Sequence, residues 1–293
     1  MSVTNSPKME KQVIDIVGLC VEVLASLAQI GYEKKGSVSI EQLIFPMKTK
    51  RKKDYEEESE DRISEQELRQ LFIDKFKAKA YPDLYFSIET PTKAKYKFGE
   101  ADKGTEQGEE LKNIKVDEKG QSALLDMCVF KSDGKDYNRI LNIEFKHGNA
   151  PLKDIAKDVL KLMHEKENGA FIFLLDNTNK GSLNNIREDK MGVLDKLSKS
   201  FSEFYNRDNS NWNGDSEKCI HLIILSLERK KNSKGPALIH QILVRERFDS
   251  LKPLITINEN GEGNITTVCK ASGWQIVSNK ENSTNITISR KQD

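Results

Sequence analysis

Residues 139–148 read Arg-Ile-Leu-Asn-Ile-Glu-Phe-Lys-His-Gly, an apolar run that stops at Glu144, Phe145 and Lys146. Burying a carboxylate or an ammonium is costly unless it is paired or holds an ion. Side chains alternate along a strand, so Glu144 and Lys146 share one face and Phe145 takes the other. Asp126 lies 18 residues before Glu144, inside Leu124-Leu125-Asp126-Met127, an odd place for a charge. The tight-turn signal Asp133-Gly134 stands between them, so 122–130 and the Glu144 strand read as one hairpin. If its register sets Asp126 beside Glu144, two carboxylates and one ammonium meet at a sheet edge. Such a pair suits Mg2+, with Mn2+ as a substitute, because a hard ion takes oxygen ligands and keeps several waters. Asp126, Glu144 and the carbonyl of Phe145 form the candidate metal set. The ion would stabilise charge on a phosphoryl oxygen and acidify a bound water, which Lys146 would help position. A phosphodiester is the natural substrate for that chemistry.

A Glu-x-Lys triplet alone says little in a chain that is 32% charged. Glu228-Arg229-Lys230 is a decoy that also ends an apolar strand, with Asp176 on an earlier one. A whole helix separates Asp176 from Glu228, whereas a single turn joins Asp126 to Glu144. The plain alternative is that both triplets are ordinary strand-end charges.

The elements that would position these residues follow from periodicity. Ser64 and Glu67 fit a capping box, followed by a stripe of Leu68, Leu71, Phe72 and Phe76. Residues 84–90 read as a strand and 92–119 as a loop or weak hairpin. A helix follows the Glu144 strand, with Leu152, Ile155, Ala156, Val159, Leu160 and Met163 on one side. Residues 169–177 are a fully apolar strand, as expected beneath helices on both faces. A helix at 191–205 and two further strands come next. The order predicts an α/β fold with a mixed central sheet flanked by helices. Residues 1–45 read as an N-terminal helical segment, 46–62 as a charged linker, 63–245 as the core, and 246–293 as a C-terminal β extension.

Asp126, Glu144 and Lys146 in this order resemble the PD-(D/E)xK nuclease superfamily, over roughly residues 64–180. The resemblance implies a restriction-endonuclease-like αβββαβ core and Mg2+-dependent cleavage of DNA, less often RNA. It also implies that Asp126, Glu144 and Lys146 are catalytic. The proline that often precedes the aspartate of that family is Leu125 here. Many members also use an acid from the first core helix. Glu65 leans toward the apolar stripe and is the candidate, while Glu67 has its own task in the cap; an exposed glutamate favoured by the helix dipole is the alternative. Lys153, Lys157 and Lys161 recur every four residues and could follow a phosphate backbone, or form a solvated face broken by Asp154 and Asp158. His147 could touch the scissile phosphate, or merely satisfy a strand-end carbonyl.

With 293 residues and a net charge of +1, the chain is no polycation, so any nucleic-acid surface must be local. Four scattered cysteines form no Cys-x-x-Cys pair, which argues against a zinc site or a disulfide framework and suits a cytoplasmic protein. The apolar stretch 12–31 carries Asp15 and Glu22 and is amphipathic, so no membrane association is expected. It packs on the core or forms a homodimer seam. No phosphate-binding Gly-x-x-x-x-Gly-Lys loop, nucleophile elbow or His-Glu-x-x-His helix occurs. Two functions are expected: a Mg2+-dependent deoxyribonuclease of restriction, defence or repair type, or a catalytically inactive nucleic-acid-binding or assembly module of the same fold.

Overall fold

A computed structural model describes residues 14–28, 30, 37–51, 57–61, 63–99, 111–176, 182, 191–207, 211–227, 229–230, 233–234, 238–244, 275–278 and 287–288. Helix α1 (Ile16–Leu27) is capped by Asp15, whose carboxylate accepts from Gly18 N–H at 2.8 Å. Its Leu19, Cys20, Val23 and Leu27 are buried together with Leu68, Leu71 and Phe72 of helix α2 (Glu65–Ala78) and with Met127 and Ile143 of the sheet. The N-terminal segment is therefore part of one continuous core rather than a separate unit. The face weighed as a dimer seam is used inside the chain.

Two short hairpins lie between these helices: β1 (Val38–Ile40) with β2 (Leu43–Phe45), and β3 (Met47–Arg51) with β4 (Glu57–Asp61). The second lies within the stretch expected as a charged linker. Its register sets Lys48 across from Glu60 and Lys50 across from Glu58. Opposite charges facing each other favour pairing, where one sign alone would oppose it.

The main sheet holds nine of the described strands. In chain order they are β5 (Leu84–Phe98), β6 (Ile114–Val116), β7 (Gln121–Ser132), β8 (Tyr137–His147), β9 (Asn168–Leu175), β10 (Ile220–Ser226), β13 (Leu238–Val244), β14 (Gln275–Ser278) and β15 (Thr287–Ile288). A small ribbon of β11 (Arg229–Lys230) and β12 (Ser233–Lys234) stands apart. Across the sheet the order is β15-β14-β13-β10-β9-β8-β7-β5-β6. Strands β5, β7 and β8 run antiparallel, β8, β9 and β10 parallel, and β13 returns antiparallel, so the sheet is mixed. Strand β5 continues through Phe98 and pairs antiparallel with β6, so the described part of the stretch expected as a loop or weak hairpin carries a short antiparallel pair. Glycine at 134 has φ of +88°, and Asp133 accepts from Lys135 and Asp136 N–H at 2.9 and 2.8 Å, which closes the β7–β8 turn.

Helices α1 and α2 cover one face of this sheet; α3 (Leu152–His164) and α4 (Val193–Arg207) pack together over the other. Strand β9 is accordingly buried from Gly169 to Leu175. Among the described residues no helix is long and apolar enough to cross a membrane. Glu228, the 178–190 loop apart from residue 182, and most of 246–293 lie outside the described residues.

Candidate active site

The β7–β8 register pairs Cys128 with Asn142 and Met127 with Ile143, and its paired residues stop there. One more step would oppose Asp126 to Glu144. Instead the Asp126 carboxylate takes the next backbone donor, accepting from Phe145 N–H at 2.8 Å. A side chain thus completes a ladder that the backbone leaves open, and the two acids end on neighbouring strands.

Phe145 turns away from this cluster, as alternation demands. Its ring is fully buried and meets Phe72 of α2 edge to face at 5.4 Å. That contact anchors both β8 and the helix that carries Glu65. Glu144 and Lys146 reach the other way, to α3. Lys146 Nζ lies 2.8 Å from Asp158 Oδ2 and 3.6 Å from Glu65 Oε2. Lys161 Nζ lies 2.6 Å from Glu144 Oε1, 2.8 Å from Asp158 Oδ1 and 2.7 Å from the carbonyl of Leu124. Acid and amine alternate along Glu144, Lys161, Asp158, Lys146 and Glu65.

Several sequence-predicted residues are thus brought together, and others are reassigned. Glu65 joins the site at the first residue of α2, beyond its neighbour Glu67, which accepts from Ser64 N–H at 2.9 Å in the capping box. Lys161 is a correction: it is buried against the sheet and cannot line a solvent-facing phosphate track. The row of lysines does not share one environment. Lys153 donates to the carbonyl of Gly99. Lys157 lies 3.2 Å from Asp154 Oδ1 and 5.8 Å above the Phe98 ring. His147 ends β8, half-buried, in register with Leu174 of β9.

Asp158, which interrupts that row in the sequence, joins Lys146 and Lys161. The signal was there: it falls three residues after Ile155 and four before Leu162, on the buried side of α3. Arg69, one turn after Glu65, was missed as well; its NH1 stands 3.7 Å from Asp126 Oδ1.

The electrostatics follow from burial and crowding. Burial pushes the Glu144 carboxyl well above the ordinary carboxylate range; Asp158 adds to this, Lys161 opposes it, and Asp126 adds again. Burial also raises Glu65, against the pull of Lys146, with Asp126 and Asp158 reinforcing the rise. Burial works against the Lys146 ammonium, but Asp158, Glu65 and Asp126 outweigh it and raise its pKa. Lys161 is raised in the same way against its own burial, first by Glu144 and then by Asp158. Both lysines are therefore firmly charged at neutral pH.

Counting Arg69 and its partner Glu89, five carboxyl groups meet three cationic groups, and a divalent cation nearby would favour the ionised form of the buried acids. The oxygens of Asp126, Glu144 and Phe145 are of the kind that Mg2+ prefers. Among the described residues no three His, Cys, Asp or Glu side chains already form a metal cage. Lysines stand between the acids, so the fit rests on charge and donor type.

A second polar cluster is structural. The buried Glu165 carboxylate accepts from Lys93 and Ala94 N–H at 3.0 Å each, from the Tyr96 hydroxyl at 3.1 Å and from Arg139 at 3.2 Å. It holds the irregular stretch of β5 between Pro91 and Lys95 against the end of α3. Set against family models, curated proteins and solved structures, the chain matches none of them.

Proposed function

We propose that this chain is a metal-dependent nuclease of restriction-endonuclease-like fold, hydrolysing phosphodiester bonds in DNA rather than RNA. The observation that carries this is the junction of β7 and β8. There Asp126 binds the Phe145 amide, with Glu144 and Lys146 flanking that residue on the opposite face. Asp126, Glu144 and the Phe145 carbonyl would hold Mg2+, which when bound supplies Lewis acidity and an acidified water. The protein supplies the rest. Lys146, fixed by Asp158 and Glu65, keeps its positive charge beside the reacting phosphate and stabilises charge growing there. Glu65, its pKa raised by burial, keeps a proton to higher pH than an ordinary glutamate and stands 3.6 Å from Lys146. Lys161 and Asp158 position Glu144 and Lys146 from below.

Plasmid nicking with Mg2+ tests this, run beside Asp126→Ala and Lys146→Ala. Cleavage by the wild type and its loss in both variants is the expected result. Equal cleavage by all three would remove the site from the reaction. The second reading, an inactive nucleic-acid-binding module, draws on one observation: Lys161 already neutralises Glu144 at 2.6 Å. It predicts no cleavage of any nucleic acid and no bound divalent ion by calorimetry.

A further inference from the structure

The first turns of α2 deliver a second charged residue to this place. Arg69 follows Glu65 by four residues, so both leave the helix on one side. Its guanidinium donates to the Glu89 carboxylate and, at 3.0 Å, to the side-chain oxygen of Gln66, while NH1 stands 3.7 Å from Asp126 Oδ1. Glu89 lies on β5 beside Asp126, because its neighbours Ile88 and Thr90 pair with Met127 and Leu125. Its φ is +48°, a left-handed backbone that a non-glycine residue keeps only where its surroundings hold it, and such positions gather at functional sites.

Two arginine–carboxylate pairs that tie β5 or β8 to a helix differ in kind. Arg139 and Glu165 are 8% and 1% exposed, a closed structural pair. Arg69 is 14% exposed, but Glu89 is 49% exposed and faces solvent. A half-open ion pair contributes little, so an incoming anion can replace the carboxylate at small cost.

We propose that Arg69 is the residue that grips the substrate phosphate, and that Glu89 is its resting partner, displaced when a phosphodiester arrives. The proposal rests on the nuclease function above and adds the phosphate-contacting residue that the sequence motif does not contain. A guanidinium presents a planar fork that matches two phosphate oxygens, and it stays charged at any working pH. Held by α2, it stands 3.7 Å from Asp126, within reach of a phosphate bound at the acids. Glu89 competes for that fork and repels the nucleic-acid backbone, so it keeps affinity low until a phosphate is present.

The test is fluorescence polarisation of a short fluorescein-labelled DNA duplex, with Ca2+ in place of Mg2+ to separate binding from cleavage. Glu89→Gln keeps the side-chain shape and removes the competing charge; binding should tighten by about twofold to fivefold, the range of one half-open ion pair. Arg69→Ala should weaken binding by about tenfold or more, and Arg69→Lys should fall between, keeping the charge without the fork. Circular dichroism checks that each variant folds. Weaker binding by Glu89→Gln would make Glu89 a contact to cation or substrate and overturn the proposal, as would no change in either Arg69 variant. If the wild type binds no duplex and cleaves nothing with Mg2+, the nuclease function falls and takes the proposal with it. That outcome is separate from a wild type that binds and cuts while its Arg69 and Glu89 variants behave alike.

Discussion

Lys161→Met removes the ammonium that holds two buried acids together while keeping an unbranched chain of similar length. Lys161 is 6% exposed, and its amine has three oxygen partners within 2.8 Å: Glu144, Asp158 and the Leu124 carbonyl. Its loss leaves Glu144 without its counter-ion and Asp158 with Lys146 alone. Removing one member of a buried pair costs about 3–5 kcal/mol, which for a chain of this size lowers Tm by roughly 5–8 °C. The pH dependence has a definite sign. Burial and Asp158 already raise the folded-state pKa of Glu144. The cost of its charged form therefore appears as pH rises through the ordinary carboxylate range and is complete above the raised value. Losing Lys161 raises that pKa further, so the variant's deficit is largest at neutral and alkaline pH. It should shrink as pH falls and Glu144 takes up a proton in both proteins. Thermal unfolding followed by circular dichroism across a pH series measures this directly. A variant that melts with the wild type at neutral pH, or whose deficit grows on acidification, would refute the buried network.

Three other perturbations separate scaffold from chemistry. Phe72→Ala empties a fully packed position against Phe145 and should cost about 3–5 kcal/mol in urea denaturation; any cleavage activity should also fall, because the same contact holds α2 and its Glu65 against β8. Glu165→Ala should destabilise by about 3–5 kcal/mol through stranding Arg139 and the β5 amides, and hydrogen exchange should quicken first at Lys93 and Ala94. Ser64→Ala removes one half of the α2 capping box for about 1 kcal/mol, a Tm shift of a few degrees, with duplex affinity unchanged.

Much was legible in the chain itself. The alternation of Ile143, Glu144, Phe145 and Lys146 fixed which side chains share a face, because strand geometry leaves no other choice. The Asp133-Gly134 turn tied Asp126 to the Glu144 strand, and the capping box placed the start of α2 and hence Glu65. Local rules sufficed there, since each involves neighbours in sequence or across one tight turn. Layering lay beyond them. Helix α3 turns Lys161 and Asp158 onto β7 and β8, so they became a buried pair rather than a solvated stripe. The backbone of the charged stretch after residue 46 pairs as a hairpin over 47–51 and 57–61, which composition alone does not reveal. Arg69 and Glu89, 20 residues apart, meet only because β5 lies beside β7 under α2. Sequence determined the period and the turns; packing between distant elements decided which charges lost their water, and that loss is what gave each of them its role.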